Sequence, residues 1–157
     1  PLRHLTDLPE NVRRDRIADL LQMVSLHPHD AGKLPVQMSG GQLQRVCIAR
    51  ALASNPKLIV LDEAVSNLDL TLQIQVLDLL TDLRKRLGVA YLFITHDLRL
   101  VQRFCDRLAV LEGGKLVEEA RVEHGQIHLQ HPMSRNLQEA ILPARPTPRH
   151  KSASAPA

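Results

Sequence analysis

Aromatic side chains are nearly missing from this chain: it has no tryptophan, and Tyr91, Phe93 and Phe104 are its only rings of that kind among 157 residues. So few rings leave no platform on which bases could stack. The net charge of +3 is mild and scattered, so no nucleic-acid partner is expected. Cysteine is scarce as well. Cys47 and Cys105 lie 58 positions apart, each in an apolar helical stretch, which predicts reduced core thiols in the cytosol and no disulfide framework. No apolar run approaches the roughly 20 residues that a spanning helix needs. The phosphate-cradling pattern G-x-x-x-x-G-K-[ST] is also missing. Gly32-Lys33 and Gly114-Lys115 are each followed by Leu, and neither has a Gly five residues before the second Gly.

What is present suits one domain with a real core: 44% of the residues are apolar and 24% charged. The most informative stretch is "MSGGQLQRVCIARAL", residues 38–52. Ser39 is a good N-cap, and Gly40 and Gly41 leave the backbone without Cβ atoms, so amide N–H groups at the positive end of the helix dipole can face an anion. Gln42 adds a side-chain amide, and Arg45 and Arg50 add positive charge. The competing reading is a capped core helix whose glycines only permit close packing.

"KLIVLDE", residues 57–63, is a four-residue apolar run ending in two acids. It reads as a fully buried parallel strand with carboxylates at its C-terminal edge, where open α/β sheets bind ligands. Neighbouring carboxylates on a strand point to opposite faces, which predicts different roles for Asp62 and Glu63. One suits Mg²⁺, and the other suits the attacking water of a phosphoryl transfer. "AYLFITHDL", residues 90–98, is a second strand pattern ending in Thr95, His96 and Asp97. An imidazole at that edge can hydrogen-bond a phosphate oxygen or position water.

This order of motifs resembles the ATP-binding cassette (ABC) ATPases over roughly residues 10–142. "MSGGQ" is similar to their signature motif, "LIVLDE" to their Walker B strand, "SNLD" at 66–69 to their D-loop, and His96 to their switch histidine. The resemblance implies an α/β, P-loop NTPase-like fold and an ATPase that uses ATP and Mg²⁺. It implies that Ser39, Gly40, Gly41 and Gln42 act in trans on the γ-phosphate of ATP held by a partner. Asp62 would support the metal, Glu63 would polarise the hydrolytic water and His96 would contact the γ-phosphate, while Ser66 and Asp69 relay between two sites.

Because only 37 residues precede Met38 and no Walker A loop is found, the expectation is a C-terminal portion of such a domain: a helical signature subdomain plus the Walker B half of the sheet. Such a portion would be inactive in isolation. Residues 1–54 would hold the helical region, 55–120 the sheet portion from Walker B to the histidine, and 121–142 a C-terminal family element. Residues 143–157, with no apolar periodicity, are expected to be disordered.

"HPMSRNLQEAILP", residues 131–143, resembles the C-terminal element of the peptide and nickel import branch of the family, and "LDEAVSNLDL", with Ala64 after the Glu, leans toward nickel. For that branch the resemblance implies a peripheral protein on the cytoplasmic face of a bacterial inner membrane. Its partners would be a second homologous ATPase, membrane permease subunits and a periplasmic binding protein. An importer of di- or oligopeptides is the alternative cargo reading.

Two other classes compete. Eight histidines raise a metal-binding module, with His124, His128 and His131 spaced as on a helix face. The local alternation reads instead as a strand, which would hold His124 and His128 about 13 Å apart at ~3.3 Å per residue. A chromosome-maintenance ATPase would approach the signature through heptads, which residues 1–37 lack.

The remaining pattern predicts a helix within residues 9–26 with an apolar stripe of Val12, Ile17, Leu20, Leu21 and Val24. A second stripe, Leu72, Val76, Leu79, Leu80, Leu83 and Leu87, ends at Gly88. A short helix reaches Cys105, and "RLAVLEGGKLVEE" reads as a hairpin turning at Gly113-Gly114.

Overall fold

The computed structural model describes residues 1–2 and 7–139, so the expected disordered tail lies outside the described residues. The chain divides into two compact units, the first ending at His96 and the second starting at Asp97.

In the first unit helix α1 (Glu10–Met23) is followed by two short 3-10 turns, Pro28–Gly32 and Pro35–Gln37, each opened by a proline whose φ is already set for a helical turn. Helix α2 (Gly40–Leu52), strand β1 (Leu58–Asp62), helix α3 (Leu70–Leu87) and strand β2 (Ala90–Ile94) follow. Helix α1 packs on α2, and α2 on α3. The Arg45 guanidinium donates to the Val24 carbonyl at 2.8 Å, tying α2 to the end of α1. Only part of the expected α1 stripe is realised: Leu20, Leu21 and Val24 are buried, whereas Val12 and Ile17 are exposed. Of the α3 stripe, Val76, Leu80 and Leu83 are buried, joined by Leu77, which the stripe did not include; Leu72 and Leu79 are half-buried, Leu87 is exposed, and Gly88 ends the helix at φ 66°. That left-handed position suits glycine, which has no Cβ to clash.

Strands β1 and β2 pair in parallel with Leu58 opposite Ala90 and Asp62 opposite Ile94. Both strands therefore end at the same edge. The expectation that β1 is buried on both faces is corrected. Ile59 and Leu61 are buried, but Leu58 and Val60 are 54% and 55% exposed, and Leu92 and Ile94 on β2 are 51% and 45% exposed. The register puts these four on one face, which no helix among the described residues of the unit buries. Tyr91 lies on the other face and donates its hydroxyl to the Leu80 carbonyl of α3 at 3.0 Å. Burial of the ring raises the Tyr91 pKa to about 12.

The second unit is built on antiparallel strands. Helix α4 (Leu98–Phe104) precedes β3 (Arg107–Glu112), β4 (Lys115–Glu123) and the two-residue β5 (Gln126–Ile127), which form a sheet in the order β3-β4-β5. Gly113 and Gly114, both at positive φ, make the expected tight turn. A second turn falls at His124 and Gly125, also at positive φ. His124 is therefore a turn residue, and the alternating strand read through residues 124–130 is interrupted. Leu98, Val101 and Ile127 centre the core, with Leu108, Val122 and Leu137 against them. Helix α5 (Pro132–Glu139) closes the described chain.

Candidate functional site

The parallel register of β1 and β2 brings the acids and the histidine together, because the chain leaves both strands at one edge. Glu63, the first residue past β1, has φ 46°, and its N–H donates to the Ile94 carbonyl of β2 at 3.0 Å. A glutamate in the left-handed region is strained, at a cost of order 1 to 3 kcal/mol. The sequence expectation rested on strand alternation, but this left-handed turn is what separates Glu63 from Asp62. The Glu63 carboxylate lies 2.8 Å from His96 Nδ1. An ionised carboxylate only accepts, so the proton of this bond belongs to Nδ1. Nε2 then becomes a donor only when the ring is an imidazolium. Both side chains are open to solvent, His96 more so than Glu63.

The loop after Glu63 is held by its own side chains. Ser66 donates its hydroxyl to the Glu63 carbonyl at 2.9 Å, and Asp69 accepts from the Leu72 N–H at 3.0 Å as the N-cap of α3. Gln73, which the sequence did not flag, donates to the Val65 carbonyl at 3.1 Å. A cavity of about 440 Å³ is lined by Asp62 and Glu63 together with Gln44, Cys47, Arg50 and Asn67. The α2 residues there recur at helical spacing, a signal present in the sequence at Gln44, Cys47 and Arg50. Cys47 is exposed, which corrects its reading as a core thiol.

Ser39, Gly40, Gly41 and Gln42 do not line this cavity. They form the N-terminus of α2 as a reciprocal capping box: the Ser39 hydroxyl accepts from the Gln42 N–H at 3.2 Å, and the Gln42 side-chain oxygen accepts from the Ser39 N–H at 2.9 Å. The box uses acceptors. The Ser39 O–H, the Gln42 NH₂ and the N–H groups of Gly40 and Gly41 are donors that suit an anion. Gly41 also serves packing, since a Cβ there would meet Leu72 Cδ2 at 3.2 Å. The packing reading therefore holds for Gly41. Oxygen donors at Asp62 and Glu63 match the hard-cation preference of Mg²⁺, so the residues present fit that ion. Among the described residues, no group of three or more His, Cys, Asp or Glu could hold a metal by itself.

The fold resembles about half of an ATP-binding cassette: MJ1267, an ATP-binding cassette of an ABC transporter in its ADP conformation, superposes with a TM-score of 0.72 at 28% identity, over 84% of this chain and 52% of that one. The model of the family described as ABC transporter matches residues 2–66. The chain is 66% identical over 146 residues to the nickel import ATP-binding protein NikE of Rhodospirillum rubrum, covering 93% of this chain and 52% of the relative. NikE of Brucella abortus is 58% identical, with 93% and 54% covered. The chain therefore spans about half the length of the curated relatives it matches.

The family match overturns one expectation. It opens at residue 2, so the stretch before Met38 already lies within the match. The description of the chain as only a signature and Walker B portion is withdrawn, and with it the inactivity inferred from that description. The α/β class stands.

Proposed function

We propose that this chain is an ATP-hydrolysing subunit of an ABC importer that energises nickel uptake across a bacterial inner membrane. The observation that carries the reading is the Glu63–His96 pair, 2.8 Å apart at the edge where β1 and β2 both end, with Asp62 beside it. The cargo rests on likeness to proteins named for nickel import. ATP and Mg²⁺ supply the phosphoryl group and the charge that offsets its oxygens. Asp62 is the residue to hold the ion, in practice through water. Glu63 orients the attacking water and accepts its proton, and His96 fixes the Glu63 carboxylate and, as an imidazolium, offers Nε2–H to a phosphate oxygen.

Ser39, Gly40, Gly41 and Gln42 offer their donors to the γ-phosphate of a nucleotide held by a second homologous ATPase. Ser66 and Asp69, by fixing the loop between Glu63 and α3, link one site to the other. Permease subunits and a periplasmic binding protein complete the importer, with this chain peripheral on the cytoplasmic face. In keeping with that place, no helix of the described residues is long and apolar enough to cross a membrane.

The test is nickel-dependent uptake and ATP hydrolysis by the assembled importer. Ser39→Arg should spare nucleotide binding but block ATP-driven closure of the ATPase pair, because a bulky side chain fills the anion gap. Normal closure would move the signature out of this role. Uptake of peptide and not nickel would overturn the cargo.

A further inference from the structure

The His131-Pro132 element is the one sequence motif that the proposed chemistry leaves unused. In the structure it converges on a single carboxylate from the middle of β4. Glu118 accepts from the Gln130 N–H at 2.6 Å and from the His131 N–H at 3.4 Å. Pro132, next in the chain, has no N–H to offer and starts α5. His131 begins the helix from outside: its carbonyl accepts from the Arg135 N–H at 3.0 Å and its Nδ1 from the Met133 N–H at 3.3 Å. A carboxylate before the first turn of a helix is also favoured by the helix dipole.

A second observation points the same way. Ser134, in the first turn of α5, is completely buried, and its hydroxyl makes no hydrogen bond of full geometry. A buried hydroxyl left unpaired costs about 1 to 3 kcal/mol. The acceptor within its reach is Glu118: the Ser134 hydroxyl, then the Gln130 N–H, hold the Glu118 carboxyl below the usual carboxylate range.

We propose that Glu118 is a clasp, the one side chain by which strand β4 keeps the His131-Pro132 element and helix α5 docked on the second unit. The other holds on α5 are weaker. Leu137 packs on the edge of the core, and Gln138 makes one neutral hydrogen bond, to the Ile127 carbonyl at 3.4 Å. Hydrogen bonds to a charged group are about twice as strong as neutral ones, so the carboxylate outweighs these contacts. Docking of the C-terminal element is then a local equilibrium that opens while the antiparallel sheet stays folded.

The experiment is amide hydrogen exchange in the full-length protein, comparing wild type with Glu118→Ala, Glu118→Gln and Leu137→Ala. Glu118→Ala should speed exchange of residues 130–139 by roughly tenfold or more and leave α4 and the β3–β4 amides unchanged. Glu118→Gln, which keeps an acceptor but loses the charge, should fall between, and Leu137→Ala should have the smallest effect. If Glu118→Ala disturbs the whole hairpin, Glu118→Gln decides: faster exchange confined to 130–139 supports the clasp, and wild-type exchange there overturns it. Unchanged exchange at 130–139 in both Glu118 variants, with opening in Leu137→Ala, would also overturn it and make packing the hold.

Discussion

Two glutamates, one in each unit, are held in opposite ways. Glu63 stands at the end of a parallel strand in a left-handed conformation, and its carboxylate faces one exposed imidazole. Glu118 lies inside an antiparallel strand, and its carboxylate accepts from two backbone N–H groups. Backbone donors cannot titrate or leave, so the second arrangement is suited to holding structure. An imidazole can donate or accept through either ring nitrogen, so the first is suited to chemistry. The backbone follows the same division. Parallel pairing gathers both strand ends at one edge, whereas each antiparallel hairpin turn sends the chain back and separates successive strand ends.

The largest expected effect would break the comparison at Glu63. In the assembled importer, Glu63→Gln should preserve nucleotide binding and lower hydrolysis by about 10² to 10⁴, the scale of a positioned acid or base. Steady-state ATPase rates beside binding isotherms check it, and an unchanged rate would make Glu63 as structural as Glu118.

Next comes the packing below the signature. Gly41→Leu drives side-chain atoms into Leu72, already 3.2 Å from an added Cβ. Overpacking of this kind costs about 1 to 3 kcal/mol, and it should appear as a lower midpoint in denaturant with an unchanged slope. Asp69→Ala removes the α3 cap seen at 3.0 Å and should cost about 1 kcal/mol. That loss, read from the same curves, tells whether Asp69 matters to stability apart from any relay between sites; no loss would leave the relay as its one role.

The smallest effect concerns alkaline pH and Tyr91, whose pKa rises from 10.0 to about 12. The folded value lies above the unfolded one, so folding favours the neutral phenol. Its contribution is complete below pH 10 and is lost as pH rises toward 12. Tyr91→Phe should remove that part of the pH dependence and the bond to Leu80, worth about 1 kcal/mol. Thermal melts between pH 8 and 12 measure it, and identical pH slopes for the two proteins would contradict the assignment.

Much of the candidate site was legible because its signals are local. Ser39 before an apolar helix, Gly88 after an apolar stripe and Gly113-Gly114 between two strand patterns each specify a cap or turn through contacts within one helical turn, whereas Gln42, expected as an amide donor, uses its side-chain oxygen to accept from the Ser39 N–H. Cys47 misled, since an apolar run around a residue does not say which side of its helix is covered; the residue opens onto the cavity that Asp62 and Glu63 line. Leu58 and Val60 misled in the same way, because burial of the second face of a strand depends on what packs there. Glu118 was passed over altogether, its partners lying 12 and 13 residues away in the chain.

By itself the sequence determined most of the helices and strands, the turns at Gly88 and Gly113-Gly114 and which reactive side chains stand at strand ends, since caps, glycines and apolar period act over a few residues. Tertiary structure alone decided that Glu63 meets His96, 33 positions later, at 2.8 Å. That meeting needs the parallel register of β1 and β2 and a glutamate held at φ 46°. Neither is a local preference: glutamate disfavours the left-handed region, and the pairing of two distant strands is stabilised only once the helix between them packs on their shared face.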